Sequence, residues 1–396
     1  MRIIAFYLPQ FHSFPENDLW WGKGFTEWTN TQKAIPLFKG HYQPHTPLNE
    51  YYYDLSDSTV MRNQIKIAKK YGIYGFCFYH YWFTHGKMLM EKPVEAFLND
   101  KTLNINFCLS WANEHWTRTW DGGSRQIIME QEYGTEEDWI KHFNYFLPYF
   151  LDKRYIYIND MPILIIYRPE IIPCLDEMLS CWKKKAIENG LKGIYMMAQG
   201  SMFCMQSHRK KKMDLINGYI MYEPGYTYSS VKLTNGWEWI RNLWEYRYFA
   251  SNYLPNKIKS KLFNVLKIKT DKPYDICDFS VLWDSILKHN VPENYYPGAF
   301  ANWDNTARRG LNGRIITGST PELFRDYISQ QIIRARNEYV KDYLFFTAWN
   351  EWAEGSHLEP DERYGFQYLE AVKMALLETN EWPFNDNHLL DKELIS

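Results

Sequence analysis

The nonapeptide TAWNEWAEG, Thr347 to Gly355, follows the apolar run Tyr343-Leu344-Phe345-Phe346 and sets two carboxylates, Glu351 and Glu354, three positions apart beside Trp349, Trp352 and Ala353. On a helical turn that spacing puts two side chains on one face with Cβ atoms roughly 5–6 Å apart, so both groups can reach one bond. Like charge between neighbouring carboxylates raises the pKa of one of them, and flanking indoles add desolvation. One group is then protonated near neutral pH while the other serves as a base. Cleavage of a glycosidic bond needs that combination. A Glu pair at this spacing is more commonly the solvated face of a helix. Here the pair abuts an apolar strand and two tryptophans, with no lysine-rich helix around it.

Other polar and aromatic residues gather behind other apolar runs. YLPQFH and the following PENDLWWGKGFTEW carry Tyr7, Gln10 and Trp28; HYWF carries His80, Tyr81 and Trp82; SWANEHWTRTWDG carries Trp111, Asn113, Glu114, His115, Trp116 and Trp120; ANWDNT carries Trp303 and Asp304; and Asn350 precedes the glutamate pair. Packing explains one such loop. Five are harder to explain that way, because their polar neighbours would be buried without partners. With 17 Trp, 31 Tyr and 23 Phe at a mean hydropathy of −0.50, many rings are expected on a partly polar surface. Aromatic faces beside hydrogen-bonding groups suit a sugar ring, with its apolar C–H faces and hydroxyl rim. His80 is a candidate sugar contact, and Asp304 is placed to orient the acid or to bind a hydroxyl. His41 and His45 in GHYQPH have the spacing of two ligands on a helix, but Pro44 and Pro47 argue against a helix there. No metal and no cofactor is expected. No Ser-His-Asp or Cys-His arrangement stands out.

The elements that would position these residues alternate. Candidate strands are Ile3–Leu8, Gly75–Tyr79, Ile105–Trp111, Pro162–Tyr167, Ile194–Ala198, Ile216–Tyr222, Gly298–Ala301 and Tyr343–Ala348, with helical spacing over Ser58–Tyr71, Glu136–Phe150, Cys174–Asn189 and Pro321–Val340. Ser319 or Thr320 caps the last of these, with Pro321 in its first turn. Eight strand–helix units predict an α/β fold, a (β/α)₈ TIM-like barrel with long strand-end loops, whose chemistry sits beyond the C-terminal ends of the strands. An open doubly wound sheet is the competing architecture, but no strand leads into a G-x-G-x-x-G phosphate loop. The rhythm breaks at residues 225–297, expected as an insertion between the sixth and seventh strands of one catalytic domain covering residues 1–396. Its segment 257–272 is rich in lysine, and is expected either as a solvated helical face or as a basic surface in peripheral contact with an anionic membrane or an acidic glycan. A net charge of −2 gives no electrostatic reason to bind nucleic acid. Six scattered cysteines read as free thiols of a reducing compartment, and the lack of a secretory signal or an apolar run of membrane-spanning length points to a cytoplasmic protein.

AFYLPQFHSFPENDLWWGKGFTEW, GHYQPHTP, FYHYWF, LSWANEHWTRTWDG and AWNEWAEGSHLEPD together resemble the WbsX family, over a span from Ala5 to about Ala371. That family is usually labelled as polysaccharide-biosynthesis glycosyltransferases and is similar to the endo-α-mannosidases and endo-α-mannanases of glycoside hydrolase family 99. The resemblance implies a barrel acting on the glycosidic bonds of an oligo- or polysaccharide, with Asn350 to Gly355 supplying both catalytic carboxylates. It also makes Asn113, Glu114 and His115 sugar contacts. By the same resemblance Glu354 is the general acid. Glu351 is the base that deprotonates the sugar 2-hydroxyl, which attacks the anomeric carbon to give a 1,2-anhydro intermediate and net retention. Mannosidase relatives often carry His between the Trp and the second Glu. This chain has Ala353 there, which weakens a transfer of mannose specificity.

Overall fold

The computed structural model describes residues 1–118, 126–200, 213–228 and 275–382. Nine strands follow one another: β1 (Arg2–Tyr7), β2 (Ile73–Trp82), β3 (Asn106–Trp111), β4 (Met161–Ile166), β5 (Tyr195–Gly200), β6 (Gly218–Met221), β7 (Tyr295–Tyr296), β8 (Gly298–Phe300) and β9 (Tyr343–Thr347). They pair in parallel in the order β7-β6-β5-β4-β3-β2-β1-β9-β8. The two ends of that path are neighbours in the chain. Tyr295 and Tyr296 pair with Tyr219 and Ile220 on one side, and Gly298 to Phe300 pair with Phe345 to Thr347 on the other. Pro297 between them has no N–H to give a ladder, and its carbonyl accepts from Phe345 N at 3.0 Å. The expected seventh strand, Gly298–Ala301, is thus preceded by a second short piece, Tyr295–Tyr296, from the end of the expected insertion, and together the two close an eight-position parallel barrel.

The interior of the barrel is aromatic. Phe6 on β1 meets Tyr79 of β2 at 5.6 Å, Tyr222 just beyond β6 at 5.2 Å and Phe345 of β9 at 6.2 Å between ring centroids. Strands far apart around the barrel meet like this only across its inside. Because successive side chains of a strand point to opposite faces, Tyr7 faces outward. It packs on Phe76 and Phe78, and its hydroxyl donates to Gln64 of the helix Ser58–Lys70 at 2.7 Å. The other expected helices occupy Glu136–Phe150, Leu175–Glu188 and Pro321–Asn337. Thr320 caps the last, accepting from Leu323 N at 3.2 Å.

Of the expected 225–297 insertion, residues 229–274 lie outside the described residues, and so does the whole lysine-rich 257–272 segment. The described remainder contributes Asp275–Asp278, paired in parallel with Arg314–Thr317 of the loop after β8, and the helix Phe279–Lys288. Cys77 and Cys108 are buried side by side on β2 and β3, while Cys174, Cys181 and Cys277 are partly exposed. No helix among the described residues is long and apolar enough to cross a membrane.

Candidate active site

Beyond β9 the chain makes a small hairpin. Asn350–Glu351 pairs antiparallel with Ser356–His357, and the connection is a single 3₁₀ turn, Trp352–Glu354. The expected α-helical turn is thus a tighter one, in which positions three apart nearly eclipse. Glu351 and Glu354 consequently leave the turn on the same side. Gly355 ends the turn at φ 58°, and a Cβ placed there would lie 2.9 Å from Asp304 N and 3.0 Å from Asp304 Cβ. The close approach lets Asp304 N donate to Glu354 O at 2.7 Å, so the loop after β8 holds the backbone of the second glutamate. Asn350 fixes the other end. Its Oδ1 accepts from Leu8 N at 2.7 Å and its Nδ2 donates to Leu8 O at 3.0 Å.

Both carboxylates converge on Arg308, from the short helix Thr306–Arg309. Its Nη1 donates to Glu354 at 2.6 Å, its Nη2 to Glu351 at 3.2 Å and its Nε to Glu27 at 2.8 Å. Only 7% of the Arg308 side chain is exposed, against 1% for Glu27, 9% for Glu351 and 21% for Glu354, so Glu354 is the member nearest solvent. One guanidinium thus serves three carboxylates. Burial pushes Glu351 up to about 8; Arg308 opposes the shift, and the charges of Glu354 and Glu27 add to it. Burial also works against the charge on Arg308, but Glu27, Glu354 and Glu351 outweigh it and hold the group ionised.

Phenols surround the pair. Burial raises Tyr79, Tyr81 and Tyr222, and the charge of Glu351 raises each further. Tyr167, at the end of β4, is raised by burial and then by Glu114, Glu354 and Glu351. Tyr79 and Tyr222 share a hydrogen bond of 3.1 Å. These rings stay neutral, as donors or stacking faces at the mouth of the barrel.

The remaining candidates divide by strand face. Tyr81 points toward the glutamates and packs edge-on with Trp116, which also meets Trp20 and Phe83. His80 and Trp82, one residue to either side, turn to the helix Glu136–Phe150. His80 Nε2 lies 2.9 Å from His142 Nε2, and Trp82 stacks on His142 at 4.4 Å. Trp111 faces the same layer, against His142 and Trp182. Trp28 lies beneath the hairpin, 5.4 Å from Trp352, and its indole donates to Tyr53 O. Trp303 is partly buried, its Nε1 without a hydrogen-bond partner. Asn113 grips Arg168 as Asn350 grips Leu8, accepting from its N and donating to its O, each at 2.8 Å. Glu114 is ion-paired with Arg168, and His115 Nδ1 accepts from Gln131 N. Gln10 is buried beside Glu27, whose N–H reaches Gln10 O at 3.4 Å. Tyr7 reaches the site only through a buried chain: Gln64 bonds Glu359, which also accepts from Tyr53 and from Trp352 of the hairpin. Asp304 spends its carboxylate on His41 at 2.6 Å and on Thr306. Trp120 lies outside the described residues.

Arg308, Glu27, Tyr79, Tyr167 and Tyr222 were not among the residues singled out from the sequence. A period of two along β2 pairs Tyr79 with Tyr81 and would have found the first phenol. Nothing local marks Arg308 or Glu27, which meet the hairpin only in three dimensions.

Residues 3–372 match the family described as Glycosyltransferase WbsX. The chain belongs to that family. Its curated relatives include the uncharacterized protein WxcX of two Xanthomonas campestris pv. campestris strains, ATCC 33913 and B100, each 33% identical over 377 residues. Those matches cover 94% of this chain and 49% of the relative, so the chain spans about half the length of the curated relatives it matches. Among solved structures, the GH99 endo-alpha-mannosidase from Bacteroides thetaiotaomicron superimposes with a TM-score of 0.54 at 12% identity, covering 96% of this chain and 98% of that one. A glycoside hydrolase-like protein gives 0.54 at 13% identity, covering 94% and 93%. At such identities the likeness establishes the fold, a (β/α)₈ barrel shared over nearly the full chain.

Proposed function

We propose that this chain is a carbohydrate-active enzyme that cleaves or transfers glycosidic bonds of an oligo- or polysaccharide with retention of anomeric configuration. The observation that carries the reading is the shared guanidinium. Glu351 and Glu354 are fixed on two arms of Arg308 at the mouth of the barrel, Glu351 buried and Glu354 nearer solvent. Family membership and the fold of the GH99 neighbours support the same reading.

In the proposed reaction Glu351 takes the proton of the 2-hydroxyl and O2 forms a bond to the anomeric carbon. The bond to the departing oxygen breaks as Glu354, the more exposed carboxyl, protonates it. Water or an acceptor hydroxyl then opens the 1,2-anhydro ring, giving its proton to Glu354 while Glu351 returns one to O2. A base with a high pKa is a strong base in its ionised form, which suits abstraction from a hydroxyl. Water makes the enzyme a hydrolase. An acceptor sugar makes it a transferase, with lipopolysaccharide, O-antigen or capsule assembly as the alternative reading; the family's description, Glycosyltransferase WbsX, supports transfer and names no polymer.

Leaving-group dependence tests the roles. Glu354→Gln should abolish cleavage of a natural glycan but spare turnover of a glycosyl fluoride of the same sugar, since fluoride departs with little protonation. Glu351→Gln should be slow on both, and a 2-deoxy substrate should fail with both carboxylates intact. The opposite pattern of fluoride turnover reverses the two roles. Normal glycan turnover in both variants removes the pair from catalysis, and unchanged glycan binding without any turnover in the wild type would make the barrel a binding module.

A further inference from the structure

Behind the hairpin, His45, His357 and Asp361 form a buried cluster drawn from two loops, with one ligand-capable atom from each within 4.8 Å of the others. All three are nearly inaccessible, at 1%, 7% and 5% exposure. Two observations set the cluster apart from an ordinary hydrogen-bonded group. Nδ1 of His45 is buried without any hydrogen-bond partner, although a buried polar atom left unpaired is costly. His357 Nε2 stands 3.5 Å from Asp361 Oδ2. That is long for a charge-assisted hydrogen bond, but close to the roughly 3.3 Å between neighbouring ligands of a tetrahedral ion with bonds near 2.0–2.1 Å. The other oxygen of Asp361 is already engaged, accepting from Tyr364 N at 2.6 Å.

We infer that His45, His357 and Asp361 form a structural site for a divalent transition ion of the zinc class, two imidazoles and one carboxylate with a fourth position open toward the adjoining cavity. His45 lines that cavity of about 250 Å³ together with His41, Tyr42, Asp304 and Arg363. Neither neighbouring acid nor base competes for the ion. The carboxylate of Asp304 is committed to His41 and Thr306, and the Arg363 guanidinium lies over the Tyr42 ring at 4.6 Å. Metal binding needs neutral imidazole and ionised carboxylate. The ion would tie the GHYQPH loop to the hairpin, because His357 pairs with Asn350 and stacks on Trp352 at 3.7 Å. It touches neither glutamate of the pair, so the site stands apart from the proposed reaction.

Untagged protein is stripped with a chelator, exchanged into metal-free buffer and titrated with Zn²⁺ by calorimetry, with Co²⁺ read in parallel by its visible ligand-field absorption. One ion per chain and a four-coordinate Co²⁺ spectrum are expected, together with a higher melting temperature of the loaded protein. Affinity should fall at least tenfold in Asp361→Asn and in His45→Gln, each verified as folded by circular dichroism. It should persist when Cys174, Cys181 and Cys277 are replaced by Ser, which removes the partly exposed thiols. Absence of stoichiometric binding to the wild type overturns the site even if both variants fail to fold, and so does binding that resists both substitutions or follows the thiols.

Discussion

Arg308 is the residue on which the proposed chemistry turns, because it positions both glutamates without being one of them. A lysine at 308 would keep the charge and lose the fork that three carboxylates share. Arg308→Lys is expected to lower kcat by on the order of 10²-fold, the scale seen when one preorganised donor is removed. A purely structural defect could do as much, so the telling measurement is the pH profile. Glu351 as base must be ionised, which gives an activity limb rising through about pH 8. Arg308 pulls that value down, first by its charge and then by its hydrogen bond, so the limb should move to higher pH in Arg308→Gln, which loses the charge, and vanish in Glu351→Gln; an unmoved limb in Arg308→Gln would refute the link. Truncation to Ala leaves Glu27 buried without its partner and should cost about 3–5 kcal/mol of stability in denaturant melts. At this scale the sequence was readable where partners are adjacent. Glu351 and Glu354 could be seen as a pair, but Arg308 lies 43 and 46 positions from them and 281 from Glu27, and no local pattern encodes such a meeting. HYWF was equally ambiguous: three attractive side chains in a row cannot all face the barrel mouth, and only Tyr81 does.

At the scale of elements, the hairpin depends on Gly355. Any side chain there must adopt a left-handed conformation costing about 1–2 kcal/mol, and its Cβ would press on the backbone of Asp304. Gly355→Ala should therefore push the two loops apart. The expected result is a melting temperature lower by a few degrees and a much larger proportional loss of activity, because Glu354 is displaced from Arg308. Activity retained in step with stability would show that this contact does not set the geometry. The strands themselves were legible to within a few residues, since each is a short apolar run bounded by turns. Two features were not. The split of the seventh position at Pro297 depends on Tyr295 and Tyr296 finding β6, a tertiary event, and the 3₁₀ turn of the hairpin depends on Asp304 reaching over to Glu354.

For the whole molecule, three buried glutamates carry protons that an unfolded chain would have lost. Burial pushes Glu223 and Glu351 up to about 8 and Glu359 to about 7. With folded-state values above the unfolded ones, the native state binds more protons, unfolding releases them, and stability falls as pH rises from about 5 to about 8. Urea midpoints across that range should decline, and Glu223→Gln, which removes one of the three groups away from the site, should flatten the decline. Midpoints that rise with pH would contradict the assignment. The barrel was legible from the alternation of strands and helices, and the GH99 superposition bears it out. The network that makes these glutamates hold protons was not, because burial belongs to the assembled core and to no single segment.

The clasp of Asn350 on Leu8 joins residues 342 positions apart, and it ties the first strand to the hairpin that follows the last. Contacts of such separation are the slowest to form, because the chain entropy of closing the loop is lost before the contact rewards it. Helices and neighbouring strands can assemble early, but the two glutamates have no fixed positions until β1 has received β9. Catalytic competence is therefore a property of the final step of folding. In a refolding experiment, the return of turnover should lag well behind the return of the far-ultraviolet dichroism signal, and a chain captured between the two would be compact, largely helical and inert.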